Sequence, residues 1–134
     1  MAKLIRVIPC LNVLIDKETN AATYFMVVEQ VGMPADLPVF PPIVVGMLWR
    51  RTRAKEKLEI RVRIEPPVGE SPKTRSRTID FEDYERFRLN LRLPAFNIEE
   101  DGICTFYVEH LGRNDKWVQD GKFEIPVVTN KEDE

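Results

Sequence analysis

Few side chains in this sequence could carry out covalent chemistry: the 134 residues include one histidine, two cysteines and two serines. His110 could act as the base for Cys10 or Cys104, as in a hydrolase with a cysteine nucleophile. No nucleophile motif or oxyanion-loop pattern accompanies these residues. Both cysteines alternate with apolar neighbours, which is typical of thiols packed in a core. The sequence therefore favours a protein that is not an enzyme and needs no cofactor, with a hydrolase as an alternative.

Two acidic stretches, at residues 16–20 and 99–101, offer oxygen ligands of the kind that calcium binds, provided that both lie at one end of the fold. The candidate ligands are Asp16, Glu18, Asn20, Glu99, Glu100 and Asp101. Their spacing matches no EF-hand loop, and Asp and Asn are also the preferred residues of solvated turns. Zinc is excluded because the Cys and His residues are not clustered. We predict no metal site and keep a calcium-dependent enzyme as an alternative.

Basic residues are concentrated in the middle of the chain. The formal net charge is −2, but residues 50–92 carry 13 Lys and Arg against 8 acidic residues, and residues 93–134 carry 4 against 10. Such a chain can complement itself, within one fold or between copies. The binding residues that we predict are Arg61, Arg63, Arg86, Arg88, Arg92 and Trp49.

Arginines alternate along two predicted strands, at residues 58–64 and 86–93. If these strands are neighbours, their guanidinium groups repel one another and indicate an anion or an acidic partner surface. Alternatively, residues 58–64 form a hairpin with residues 74–81 in which Leu58 meets Phe81 and Ile60 meets Ile79. Arg61 then lies opposite Thr78 and Arg63 opposite Ser76, on a solvated face without repulsion. Nucleic acid is a less favoured partner because no aromatic residues are interleaved with these arginines.

Trp49 ends an apolar stretch at residues 43–49, directly before Arg50 and Arg51. It either caps one end of the core or anchors a protein interface, where tryptophan and arginine are over-represented. Trp117 begins or precedes the final strand and has the same two interpretations.

Apolar residues recur with a period of two along most of the chain, which predicts strands rather than helices. Short strands separated by turn residues at regular intervals are typical of an antiparallel β-sandwich. We predict an all-β fold of about 7–9 strands, immunoglobulin-like or of related Greek-key topology. The predicted strands are residues 4–15, 22–31, 43–49, 58–64, 74–81, 86–93, 103–111 and 122–128.

Two proline positions refine this prediction. Pro41 and Pro42 remove two amide donors, so the segment enters its strand from a sheet edge or crosses between sheets. Pro126 indicates an edge strand or a bulge. An uncovered edge strand is a usual place for a second copy to add itself, and we therefore expect a homo-oligomer or a protein partner.

No linker or internal repeat divides the chain, so residues 1–134 are predicted to form one domain with a frayed acidic tail at about 130–134. No apolar run reaches the roughly 18 residues of a membrane helix, and polar residues interrupt any signal-peptide core. Two distant cysteines fit a reducing compartment. We expect a cytoplasmic protein that is not associated with a membrane.

The order of these features resembles a family of uncharacterised bacterial β-sandwich proteins. The matching elements are the opening strand, the turn from Asp16 to Asn20, Val28-Glu-Gln-Val31, the Phe40-Pro41 entry and Gly102-x-Cys-x-Phe-x-Val108. The last stretch looks like the penultimate strand of immunoglobulin-like sandwiches, although Cys104 replaces the usual tyrosine. Trp49 lies too far after Cys10 for an immunoglobulin domain proper. The resemblance implies the fold but brings no activity.

The sequence thus favours a non-catalytic binding or interaction module that associates with itself through an edge strand or through opposed basic and acidic surfaces. A binder of nucleic acid or another polyanion, using the arginine-rich strand faces, is the second hypothesis.

Overall fold

The computed structural model describes residues 1–72 and 74–130, which form strands and connecting turns without a helix. No helix in these two ranges is long and apolar enough to cross a membrane. The strands are β1 (Lys3–Ile15), β2 (Ala22–Val27), β3 (Val31–Pro34), β4 (Val39–Phe40), β5 (Ile43–Arg50), β6 (Lys57–Glu65), β7 (Arg77–Asp80), β8 (Arg86–Leu93), β9 (Phe96–Asn97), β10 (Gly102–Leu111) and β11 (Trp117–Asn130). The predicted all-β class is confirmed, and the predicted tail lies, apart from Asn130, outside the described residues.

The strands form two larger sheets and one small one. Sheet A has the order β2-β1-β5-β8, sheet B has the order β3-β11-β10-β6-β7, and β4 pairs with β9. Sheet A is antiparallel, whereas sheet B is mixed because β3 runs parallel to β11. One hydrophobic cluster contains side chains from both larger sheets, including Met47 and Trp49 from β5 and Ile60 and Phe106 from sheet B. Burial of these side chains is the main stabilising term of the fold.

The alternating patterns place the strands as predicted. On β6 the residues Leu58, Ile60, Val62 and Ile64 are buried while their neighbours are more exposed, and β8 has the predicted boundaries. Hydrophobic alternation with a period of two fixes which face of a strand is buried. This part of the prediction is therefore confirmed.

The segment that the sequence predicted as one strand at 22–31 is two strands in different sheets. Met26 has a positive φ of 54°, which bends the chain near the end of β2. Beyond the bend, the N–H of Val28 still donates to the carbonyl of Pro9 on β1. The chain then enters β3, which pairs with β11 of sheet B. Periodicity alone does not reveal a change of sheet within one apolar stretch.

Both proline predictions agree with the structure. Pro41 and Pro42 lie between β4, in the small sheet, and β5, in sheet A, so the chain crosses between sheets there. β3 pairs with β11 only over its last residues, Val127 to Asn130. Pro126 therefore lies just before this pairing begins, on the part of β11 that forms a sheet edge.

The hairpin of β6 and β7 exists, but its predicted register was wrong by two residues. Leu58 lies opposite Ile79 and Ile60 opposite Arg77. The hairpin extends at its open end, where the N–H of Phe81 donates to the carbonyl of Glu56 over 3.0 Å. A shift of two residues keeps every side chain on its predicted face, and for that reason alternation could not detect it.

Sheet A curls into a half-barrel. The second half of β1 and all of β2 form a hairpin, here called the arm (residues 10–27), which folds over the outward face of the sheet. At its tip the carbonyl of Asn20 accepts a hydrogen bond of 3.0 Å from Arg88, on the far strand β8. The Tyr24 ring lies against Gly46 of β5, where a Cβ would be 2.5 Å from Cε1. Glycine is therefore required for this close approach.

Candidate functional site

The predicted binding arginines lie in two separate places. Arg61 and Arg63 are on β6 in sheet B, and Arg86, Arg88 and Arg92 are on β8 in sheet A. β8 pairs with β5 and β6 pairs with β7 and β10, so the two arginine strands are not neighbours. The single arginine surface that the sequence allowed is not formed.

Arg61 and Arg63 are used inside the protein. Glu109, on the neighbouring strand β10, is buried, and its carboxylate accepts hydrogen bonds of 2.8 Å from Arg61 Nε and 3.3 Å from Arg63 Nε. The guanidinium of Arg61 stacks 4.1 Å from the Trp117 ring centroid, and that of Arg63 stacks 4.0 Å from Tyr107. Ion pairing and cation–π stacking together hold both side chains on the sheet. Their binding of an external partner therefore stays a prediction, and within the protein both side chains pair with Glu109.

The arginines of β8 have a different environment. Leu89, Leu91 and Leu93 are buried, so the alternate residues Arg86, Arg88 and Arg92 project to the other face of sheet A. We call these three residues the β8 strip. Alternate residues of a strand are about 6.6 Å apart, so the β8 strip is about 20 Å long. β8 is an edge strand, and the sheet supplies it with a neighbour on one side only.

The groove of the half-barrel adjoins one end of the β8 strip. This open cavity has a volume of about 640 Å³ and is lined by Arg6, Ile15, Asn20, Leu48, Arg86, Arg88 and Asn90. None of its arginines forms an ion pair with an acidic residue of the ranges 1–72 and 74–130. Arg88 Nε and Asn90 Oδ1 are buried without a hydrogen-bond partner in the described part of the chain. Buried polar atoms normally have partners, so these two atoms are exceptions within the fold.

Positive charge is reinforced from β5, next to β8. Arg50 lies directly opposite Arg86 in the register of the two strands. Like charges in cross-strand positions destabilise a sheet. An anion between these guanidinium groups relieves that repulsion, which favours ligand binding at this end of the β8 strip.

A second basic cavity, the cleft, lies at the other end of the β8 strip. It has a volume of about 540 Å³ and is lined by residues 74–77 and 91–94. Arg75, from the segment that leads into β7, and Arg77, the first residue of β7, are exposed there and line the cleft together with Arg92. The β8 strip therefore runs from one arginine-lined cavity to another.

His110 pairs with a carboxylate, and both cysteines are buried. His110 Nδ1 lies 2.6 Å from Asp120 Oδ2, and burial raises the pKa of Asp120 although the hydrogen bond to His110 opposes the shift. Burial also raises the pKa of Cys10, and that of Cys104 to about 12. Cys104 and His110 are six residues apart on β10, a separation of about 20 Å. His110 therefore has a carboxylate as its partner, and both cysteines are neutral thiols at physiological pH.

Asp16 and Asp101, one from each acidic stretch, accept hydrogen bonds within the protein. Asp16 accepts hydrogen bonds from the Glu18 amide over 3.2 Å and the Thr19 hydroxyl over 2.8 Å. Asp101 accepts one of 3.0 Å from the amide of Thr129 on β11. Across residues 1–72 and 74–130, no group of three or more His, Cys, Asp or Glu side chains is placed to hold a metal ion. The carboxylates at these positions stabilise local turns and strand ends.

Trp49 lies in the core. It is 0% exposed and lies between Leu4 of β1 and Phe87 of β8 in the register of sheet A. A side chain without exposed surface offers nothing to a partner, which corrects the prediction that Trp49 is a binding residue. Trp117 begins β11, as expected, and lies beneath Arg61.

The sequence did not single out four of the arginines in this region: Arg6, Arg50, Arg75 and Arg77. Arg6 lies within the apolar stretch of the predicted strand 4–15, and Arg50 directly follows the apolar stretch 43–49. The available signal was their charge itself, since a strand with an arginine on one face cannot be buried on both faces unless that charge is paired.

Comparison of the chain with models of known protein families, and with curated proteins, finds no match. The resemblance to bacterial β-sandwich proteins therefore stays a prediction. The geometry of the β8 strip is what bears on function.

Proposed function

We propose that this protein is a non-catalytic interaction module that binds an acidic segment of a partner protein along the β8 strip. The observation that carries the proposal is a contrast between two sets of arginines. Arg61 and Arg63 share the carboxylate of Glu109, whereas Arg86 and Arg88 have no acidic partner among residues 1–72 and 74–130. Arginine without an internal carboxylate is available to pair with an external one.

An extended segment fits this surface better than a compact ion does. β8 is an edge strand, to which a partner segment can add as a further strand through backbone hydrogen bonds. Carboxylates at alternate positions of such a segment repeat at about 6.6 Å, which matches the spacing of alternate arginines on β8. The groove and the cleft continue the positive surface at both ends.

Nucleic acid or another polyanion is the second candidate, because the same arginines could contact phosphates. The outward positions of β8 alternate Arg86, Arg88, Asn90 and Arg92, without an aromatic side chain. Proteins that bind single-stranded nucleic acid normally stack bases on aromatic rings. The acidic protein segment is therefore the proposal, and the polyanion is an outcome of its test.

We also propose that sheets A and B form a β-sandwich with an immunoglobulin-like strand order. The order β11-β10-β6-β7 corresponds to strands G-F-C-C′ of a variable-type domain, and the adjacent β5 and β8 correspond to B and E. The shared hydrophobic cluster supports the packing of one sheet on the other. Free, buried cysteines are consistent with a cytoplasmic location, which is part of this proposal.

The test is a binding measurement with designed peptides. Fluorescence anisotropy at low and high salt would compare a labelled peptide of alternating Glu and Val with a peptide of the same composition in block order. We expect the alternating peptide to bind more tightly, with an affinity that falls as salt rises. Exposed ion pairs contribute about 0.2–1 kcal/mol each, so replacing Arg86, Arg88 and Arg92 together by Gln should weaken binding by between about threefold and about a hundredfold.

The matched control replaces three exposed cations of the β10–β11 region, Arg113, Lys116 and Lys122, by Gln. This control loses the same formal charge, so long-range attraction falls equally in both variants. Equal weakening in the two triple variants, or equal affinity for the two peptides, would refute a specific site on β8. Tighter binding of an oligothymidylate than of the alternating peptide would favour the polyanion candidate instead.

A further inference from the structure

The arm exposes more large apolar side chains than any other hairpin of the described chain. In the register of β1 and β2, Leu14 and Phe25 lie on one face of the arm and Ile15 lies on the opposite face, so the exposed apolar side chains are divided between two surfaces. The exposed side chains, with their relative exposures, are Leu11 (42%), Leu14 (55%), Ile15 (37%), Phe25 (42%), Met26 (74%) and Val27 (51%). Ile15 lines the groove and Leu11 lines a further cavity together with Arg92, whereas the other four side chains do not line either of these cavities.

The arm also carries the least protected of the edge strands. Proteins protect sheet edges with charged residues, proline or short strands. β8 carries its arginines, β7 has four residues with a charge at each end, and β3 has four residues and ends in Pro34. β2, with the sequence Ala-Thr-Tyr-Phe-Met-Val, has no charged residue, proline or glycine. This edge is open to pairing with another strand.

The absence of charge on β2 indicates which strand can pair with this edge. In a two-fold symmetric interface each residue meets the same surface of the other copy, so any charge on the patch would face a like charge. β2 carries none, and it can pair with itself without that penalty. The tip of the arm has Asp16 and Glu18 against Lys17, a charge balance that does not suit an anionic membrane.

We infer that β2 pairs antiparallel with β2 of a second copy of this chain, joining two A sheets into one continuous sheet. The pairing spans Ala22 to Phe25, because the positive φ of Met26 bends the strand beyond that point. Met26 and Val27 pack beside the paired strands and bury apolar surface. This dimer goes beyond the proposed function, since it uses the opposite edge of sheet A from the β8 strip.

Sedimentation velocity of the full chain over a range of concentrations, at low and at high salt, tests this dimer. We expect a dimer that persists at high salt, because apolar burial does not depend on counterions. Thr23→Lys and Phe25→Lys each place a cation on the paired strand of both copies and should raise the dimer dissociation constant at least about tenfold. Val118→Lys is the matched control, since Val118 is 44% exposed on β11, and it should leave the constant unchanged.

A wild-type chain that is monomeric at the highest concentrations would overturn the dimer, as would a dimer that responds equally to Thr23→Lys and Val118→Lys. Circular dichroism and thermal unfolding of each variant show that a loss of association is not a loss of folding. A dimer that dissociates when Arg86, Arg88 and Arg92 are replaced, but not with Thr23→Lys, would place self-association at the other edge. Peptide binding by a monomeric Thr23→Lys variant separates failure of the dimer from failure of the proposed function.

Discussion

The ion pairs of Glu109 give the sharpest test of which arginines stabilise the fold and which are free to bind. The Glu109 side chain is 8% exposed, and its two partners, Arg61 and Arg63, are 31% and 39% exposed. Glu109→Gln keeps the shape but removes the charge between two guanidinium groups. Breaking a fully buried ion pair costs about 3–5 kcal/mol, and because these arginines are partly solvated we expect about 2 kcal/mol.

Urea unfolding followed by tryptophan fluorescence measures this loss, because Trp117 stacks on Arg61 and Trp49 lies in the core. The expected change is a lower midpoint with an unchanged slope. Glu124→Gln is the control: Glu124 is 54% exposed in a pair of 3.8 Å with Lys122, and we expect less than about 0.5 kcal/mol. A Glu109→Gln loss no larger than the control would refute the structural role of Glu109.

Three further predictions follow from single contacts. Gly46→Ala would bring a Cβ to 2.5 Å from the Tyr24 ring, so the arm should lift, with a loss of about 1–3 kcal/mol in stability and faster hydrogen exchange in residues 10–27. Cys10 and Cys104 should react with a thiol reagent at pH 8 only after unfolding, since burial raises both pKa values; one fast equivalent in the native protein would contradict this. The pKa of Glu56 is lowered because hydrogen bonds from Thr52 and Ala2 outweigh the opposing effect of burial. The stabilisation by Glu56 is therefore complete above the unfolded pKa of about 4.5 and is lost as the pH falls through the lower folded value. The urea midpoint of unfolding should therefore change less between pH 6 and pH 3 in Glu56→Gln than in the wild type.

The strands with clear alternation were predictable from the sequence because each depends on a local pattern. Alternation along β6 and β8 gave their positions and their buried faces, and Pro41 and Pro42 gave the crossing into β5. The register of β6 against β7 was not predictable from alternation, since a shift of two residues satisfies it equally well. The observed register is accompanied by a hydrogen bond between Ser76 and Glu59, which only the folded hairpin forms.

The candidate site was only partly predictable. Arg86, Arg88 and Arg92 were found from their spacing on one strand, but their separation from Arg61 and Arg63 depends on which strands become neighbours. Glu109 was missed because its role arises from a partner strand 46 residues away in sequence from Arg63. The curl of sheet A brings Tyr24 against Gly46, a non-local contact that no pattern in the sequence reveals.

The two proposals assign different partners to the two edges of sheet A. On β8, alternate arginines prevent the strand from pairing with a copy of itself, because each would meet another cation, and they favour a strand with alternate carboxylates. On β2, the absence of charge removes that barrier and leaves apolar contact as the driving force. An uncharged strand forms no ion pair with an acidic segment, and an arginine-rich strand repels another arginine-rich strand. Each edge therefore selects against the partner proposed for the other edge.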